Sequence, residues 1–365
     1  MIRWRAGVVE SERTRWAGAV EYAVRLVDDD VTVRALAYSD LVGEAQPGDR
    51  VLLNVSALVR GLGTGGLALV TAIPDRIPAD PPAGPGHVVK ARYTPSQAMV
   101  LGVDEQESPH HELLRDADSI EGMPVVVADL HSAVPAIIAG LRESSPTPPR
   151  VAYVMSDGGA LPIAFSRNVA QLRDAGWIAG SVTAGQSFGG DLEAVNVHTA
   201  LLAARLVLQA DVVVLSQGPG NLGTGTRWGF SGVAAGEAVN ATAVLGGRPV
   251  ASLRVSQADA RDRHRGISHH SRTAYGRVAL VPADLPVPRL DGELGGLVDA
   301  QASDLVTASG ERLRRHDIDL TGLYDALAVS PVPLRTMGRD FDADTASFLA
   351  AAAAGRHTAG LLSAP

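Results

Sequence analysis

Apolar and polar positions alternate with period two through the first seventy or so residues. Ile2, Trp4 and Ala6 alternate with charged or small residues, as do Val20, Tyr22, Val24 and Leu26, and then Val31 and Val33. That period predicts half-buried strands. Asp28-Asp29-Asp30 predicts a polar hairpin turn. Pro47-Gly48-Asp49 turns the chain into a strand at Val51–Val55, and Leu67–Ile73 predicts another. Short strands with tight turns predict a small all-β barrel over residues 1–73, read as a structural or oligomerisation module. Residues 74–86, PDRIPADPPAGPG, hold five prolines, which suit neither helix nor ladder and predict a stiff linker.

From residue 87 to 365 the period changes. Strands are expected at His87–Ala91 and Ala98–Val103, with an acidic loop or short helix at Glu105–Asp118. Apolar runs at Val125–Ala128, Val151–Met155, Ile178–Val182, Val212–Leu215 and Val250–Val255 alternate with helical patterns at Ala133–Arg142, up to about Ala175, behind Asp191, and at Ser231–Leu245. This alternation predicts an α/β domain with a mostly parallel, doubly wound, Rossmann-like sheet. Asp191 is expected to cap the helix beginning at Leu192. Further on, the pattern predicts a strand at Arg277–Pro282, an exposed turn-rich stretch at Leu285–Gly296 and a helix at Ala302–Arg314. A last helix is capped by Asp342 or Asp344. The alanines 350–354 of that helix suit close packing, either within the chain or between subunits.

In open parallel sheets, ligands bind beyond the carboxyl ends of the strands. All five expected strand ends carry glycine, hydroxyl, acid or histidine. The most concentrated tail is DVVVLSQGPGNLGTGT (211–226), in which Gly218, Gly220, Asn221, Gly223, Thr224, Gly225 and Thr226 offer backbone and hydroxyl donors to an anion. The pattern is neither G-x-G-x-x-G nor a P-loop. Ser156, Asp157, Gly158 and Gly159 end a second strand, and Thr183, Gly185, Gln186 and Asp191 follow a third. Asp157 or Asp191 is expected to orient a ligand hydroxyl. The tail QADARDRHRGISHHSRTAY (257–275) is the richest in titratable groups. There His269 or His270 is the proton-transfer candidate, and Arg265 or Arg272 would neutralise ligand charge. On a strand the two histidines would face opposite ways.

Net charge is −8 with no basic block, so nucleic acid is not the expected partner. The absence of cysteine excludes disulfides, thiolate catalysis and thiolate metal sites. The N-terminus, with Arg3 and Arg5 in an alternating pattern, does not read as a signal peptide, and no apolar run is long enough for a membrane. A cytoplasmic protein is expected. No cofactor is identified, no metal is assigned, and a homo-oligomer is compatible with the alanine-rich helix.

The segments HVVKARYTPSQ (87–97), SDGGALPIAFS (156–166), TAGQSFGGDLEAVN (183–196), SQGPGNLGTGT (216–226) and GISHHSRTAYG (266–276) carry a nearly full-length resemblance to the bacterial family of unknown function DUF3866, of actinobacterial type. The resemblance implies a cytoplasmic bacterial protein and supplies no activity. The residues themselves suggest an enzyme binding a small anionic or phosphorylated molecule, with hydrolysis or group transfer through a histidine acid/base. The alternatives are a non-catalytic metabolite sensor, and a metal-dependent hydrolase using Asp129, His131, His264 and His269.

Overall fold

The computed structural model describes residues 1–363. Strands β1 (Trp4–Trp16), β2 (Ala19–Leu26), β3 (Thr32–Tyr38), β4 (Arg50–Asn54) and β5 (Ala68–Ala72) close a barrel in the order β1-β2-β3-β5-β4. β3 and β5 run parallel while the other pairs are antiparallel, the arrangement of an OB-type Greek-key barrel. The period-two residues Val20, Tyr22 and Val24 fill its interior with Val51 and Leu53. Short helices α1 (Ser39–Val42) and α2 (Ser56–Val59) occupy the β3–β4 and β4–β5 connections. The barrel touches the rest of the chain directly. Trp16 donates its indole N–H to the carbonyl of Ala164 at 2.7 Å, and the Arg167 guanidinium lies over the Trp16 ring.

After the proline-rich segment, β6 (Val88–Lys90) and β7 (Ala98–Val100) form a hairpin, followed by α3 (His111–Leu114). The body then alternates β8 (Pro124–Ala128), α4 (Val134–Glu143), β9 (Val151–Ser156), α5 (Arg167–Asp174), β10 (Gly180–Ala184), β11 (Leu192–Ala194), α6 (Val197–Leu206), β12 (Val212–Gln217), α7 (Ala234–Val244) and β13 (Arg248–Ala251). A two-stranded hairpin of β14 (Val255–Ser256) and β15 (Gly266–Ile267) leads into α8 (His269–Thr273). The chain finishes with β16 (Ala283–Pro288), α9 (Gly292–Ala308), β17 (Leu313–Ile318), α10 (Leu323–Ala328), a hairpin of β18 (Arg335–Thr336) and β19 (Arg339–Asp340), and α11 (Thr345–Leu362).

Eight strands form one sheet in the order β11-β10-β9-β12-β8-β13-β16-β17, and every neighbouring pair is parallel. Both faces are covered. α4, α5, α10 and α11 bury Ile137, Leu172, Leu323 and Phe348 on one face; α6, α7 and α9 bury Leu201, Val239 and Val298 on the other. Double coverage explains why the central strands read as unbroken apolar runs. The alanines of α11 are buried inside the chain, against α4. The approach is close enough that a Cβ on Gly140 would lie 2.0 Å from the Ala352 carbonyl, and one on Gly355 would lie 2.0 Å from that of Ile137. No described helix is long and apolar enough to cross a membrane.

Several boundaries differ from expectation. Leu192–Ala194 is an edge strand, and α6 starts at Val197, where the Asn196 side chain accepts from the Thr199 amide at 3.0 Å. Asp191 instead accepts from the amide and hydroxyl of Ser181 and pairs with Arg173. Arg277–Pro282 is not a strand: a π-helical turn spans Ala274–Val278, and the strand begins at Ala283. The stretch expected to be an exposed turn holds β16, buried throughout, and the start of α9. Pro286 and Pro288 disguised β16, since proline cannot donate to a ladder. The site tolerates them because β13 pairs with β16 only at Val250 and Asp284. The helix expected at Ala302–Arg314 is the second half of α9 followed by β17. Asp344 precedes α11, but its carboxylate accepts from the Ser256 hydroxyl and the Gln257 amide and pairs with Arg339 rather than capping.

Candidate functional site

The carboxyl ends of β8, β9, β10, β12 and β13 share one edge of the sheet, as parallel topology requires. The tails there do different work. The third tail is closed on itself. Lys90 of β6 is fully buried and donates to the carbonyls of Ser187 and Ala194 at 3.0 and 2.9 Å while pairing with Glu193. Thr183 donates its hydroxyl to Glu193 and accepts from the Gly190 amide. Asp157 is likewise occupied. One oxygen accepts from the amides of Gly159 and Ala160, and the other from that of Gln186. The Gln186 side chain accepts from the Arg92 amide. Gly185 sits in the left-handed region at φ 68°, where a Cβ would meet that of Asp157 at 2.6 Å. Asp157, Thr183, Gly185, Gln186 and Asp191 thus stand on the expected edge, with their polar atoms spent on holding loops. Ser156 is buried beside Asp129 and Gln217, and Gly158 packs under Gln217, leaving Gly159 open.

The β12 tail and the histidine tail do meet. Asn221, Gly223 and Gly225 line a recess of about 130 Å³ with Arg254, Arg261, Arg263, His264, His269 and His270. The loop is shaped internally: Thr224 and Thr226 share a hydroxyl–hydroxyl bond and hold Gly229, while Asn221 accepts from Ser231. Gln217 fixes its root by donating to the Asp129 carbonyl at 2.9 Å. Gly220, at φ 99° with open space around a notional Cβ, belongs to a larger cleft of about 980 Å³. That cleft runs from the strand ends, including Gly218 and His131, to the barrel's β4–β5 connection at residues 57–66.

His269 and His270 are not on a strand. Ser268 caps α8, its hydroxyl accepting from the His270 amide, and the helical turn lets both rings face the same recess. Their ring centroids are 4.4 Å apart, and each lies within 5.0 Å of that of His264. Phe230 stacks on His270 at 3.8 Å with planes 5° apart, fixing its orientation. Arg254, buried, donates to Nδ1 of His270 at 3.1 Å, so the neutral ring keeps its proton on Nε2. Behind them the Asp129 carboxylate lies 3.6 Å from His270 and 3.9 Å from Arg254. Arg261 is clamped to Asp259 through two bonds of 2.8 Å, and Arg263 enters no ion pair among the described residues.

Burial, aided by the nearby charges of Arg254 and Arg261, pushes the His264 imidazole down to about 3. Burial, with His270 and Arg263, pushes His269 down to about 4. Both rings are therefore neutral near pH 7. Among the described residues, five buried side-chain polar atoms lack a hydrogen-bond partner, and three belong here: Asp129 Oδ2, Asn221 Nδ2 and His269 Nε2. Because an unpaired buried polar atom costs about 1–3 kcal/mol, three so close together single this place out as the candidate site.

Arg265 and Arg272 are exposed and outside this lining; Arg254, Arg261 and Arg263 take their place. Arg254 was hidden within an apparent strand, although a cation interrupting the apolar run ASLRV was the available signal. The four-residue metal set does not assemble. His131 turns away from Asp129, with Nδ1 2.9 Å from the Tyr153 hydroxyl and Nε2 2.6 Å from that of Ser166.

The family described as "Protein of unknown function (DUF3866)" matches residues 34–355, and the chain belongs to that family. No curated protein matches the chain.

Proposed function

We propose that the protein is an enzyme acting on a small anionic, phosphorylated ligand whose charged group occupies the recess between the Asn221–Gly225 loop and α8. The observation that carries this reading is the meeting of Arg254, Arg261 and Arg263 at one recess with two unpartnered polar atoms, Asn221 Nδ2 and His269 Nε2. Guanidinium groups and loop amides favour a phosphate, whereas Arg254 against His270 opposes a divalent cation. His269, neutral with a free Nε2, is the base for hydrolysis or group transfer. A bound phosphate would raise its affinity for protons and let it return one to the leaving group.

Calorimetric titration with inorganic phosphate, pyrophosphate and a panel of nucleotides and sugar phosphates tests the reading. Binding that weakens at least tenfold in Arg263→Ala and Arg254→Met is expected; absence of binding to every anion would remove the reading. The barrel's share in the adjoining cleft favours a second reading, a metabolite sensor that relays occupancy to a partner. Retained affinity in His269→Gln, with no turnover in the parent protein, would select the sensor.

A further inference from the structure

His131 and Ser166 lie outside the recess and line the larger cleft. We propose that Ser166 is a catalytic nucleophile and His131 its general base, acting on a carboxylic ester that enters the cleft between barrel and sheet. This goes beyond the anion reading and does not depend on it.

The hydrogen bonds run in one direction. The Ser216 hydroxyl donates to the Gln217 carbonyl at 3.0 Å and so accepts, at 3.2 Å, from Tyr153. Tyr153, having donated its proton there, accepts from His131 Nδ1–H at 2.9 Å. Nε2 of His131 is then the lone-pair nitrogen, and it faces Ser166 Oγ at 2.6 Å. Ser166 Oγ already accepts from the Val169 amide at 3.1 Å, leaving its proton for His131. Burial pushes the His131 imidazole down to about 4, so the ring is a neutral base at pH 7. Ser166 is also the N-cap of α5, where the helix dipole favours negative charge on Oγ.

In the reaction, Ser166 Oγ bonds to the ester carbonyl carbon as its proton passes to His131 Nε2. The first-turn amides of Arg167 and Asn168 have no intrahelical acceptor and would be the donors to the developing oxyanion. The carbon–oxygen bond to the alcohol breaks, and the alcohol leaves with the proton from His131. Water then adds to the acyl-enzyme, giving a proton to Nε2 that returns to Ser166 as the acid departs. Tyr153 is a positioning residue that fixes the tautomer.

Because the chain has no cysteine, Ser166→Cys creates a unique thiol. Iodoacetamide alkylation of that variant against pH, with thiolate absorbance near 240 nm, reads the environment directly. A thiolate formed at least two pH units below the ordinary value of about 8.5 is expected, restored to ordinary in the double variant Ser166→Cys/His131→Asn. In the parent protein, a fluorophosphonate is expected to label Ser166, with labelling slowed at least tenfold in Tyr153→Phe. An ordinary thiol profile in a Ser166→Cys protein whose circular dichroism matches the parent would overturn the proposal. The thiol profile decides if the fluorophosphonate is too bulky for the cleft. None of these readouts involves phosphate, so this proposal and the anion reading fail separately.

Discussion

Two groups of histidines in this protein are built from similar parts and reach opposite states. At the recess, His264, His269 and His270 cluster around a buried arginine, and the Asp129 carboxylate keeps one oxygen unpaired. At the far side of the sheet, His316 of β17 and His357 of α11 converge on Asp284 of β16. There the carboxylate is saturated. His357 lies 3.0 Å from one oxygen and Arg314 donates to the other at 2.8 Å. Burial acts to raise the Asp284 carboxyl, but His357, Arg314 and His316 outweigh it and hold the group down at about 2. Composition alone would give the two clusters the same meaning. What separates them is the carboxylate: both Asp284 oxygens are bonded and clasp α11 to the sheet, leaving His316 Nε2 alone without a partner there, while the first cluster leaves Asp129 Oδ2, Asn221 Nδ2 and His269 Nε2 all unpaired.

The largest expected effect comes from removing each cluster's arginine. Arg254→Met strands a buried Asp129 carboxylate and should cost about 3–5 kcal/mol in urea unfolding. Arg314→Met removes a half-exposed partner and should cost no more than about 1 kcal/mol. Equal costs would erase the distinction. Next in size, His357→Gln should destabilise by about 1–3 kcal/mol because Asp284 loses a buried partner. His269→Gln should stay within about 1 kcal/mol of the parent, since Nε2 bonds nothing, while anion chemistry at the recess is lost.

The smallest effect is a separation along the pH axis. His264 and His269 titrate lower in the folded chain than the ordinary 6.5, so the unfolded chain binds more protons below that pH. Their contribution is complete above about 6.5 and is lost as pH falls toward 4 and 3. Asp284 is also depressed, from 3.8 to about 2, so its contribution persists until pH drops below about 4. Unfolding titrations should show the first step flattened in a His264→Gln/His269→Gln variant. The second step should be flattened in His357→Gln alone. A single step common to both variants would contradict the independence of the clusters.

The sequence revealed the sheet because doubly covered strands cannot hide their apolar runs, and it revealed the barrel because half-buried strands alternate. It concealed β16 because Pro286 and Pro288 mimic a loop, and the strand accepts them because it pairs with β13 only at Val250 and Asp284 although it pairs with β17 throughout. The site was half visible. Glycine and histidine mark the right tails. Whether a polar atom is free, however, depends on neighbours distant in sequence. Asp157 and Thr183 looked as available as Asn221, yet the Gln186 amide and Glu193 occupy them. Ser166 escaped notice because a serine at a helix start reads as a cap, and His131 was grouped with Asp129 because the Tyr153 side chain that orients it comes from a strand lying between His131 and Ser166 in sequence but apart from both in pattern.

The seating of α11 on α4 has a consequence for synthesis. A strand–helix pair made early, β8 and α4, receives its covering layer from residues 345–362, which are made long after it. Until then the Ile137–Leu141 face lacks its partner, and Gly140 has no carbonyl to nest against. The nascent chain must therefore be held through an interval with part of one face of its central sheet uncovered, and the native state is reached only once α11 has emerged. Chains stalled or truncated before residue 345 would be expected to engage holding chaperones rather than accumulate as folded fragments.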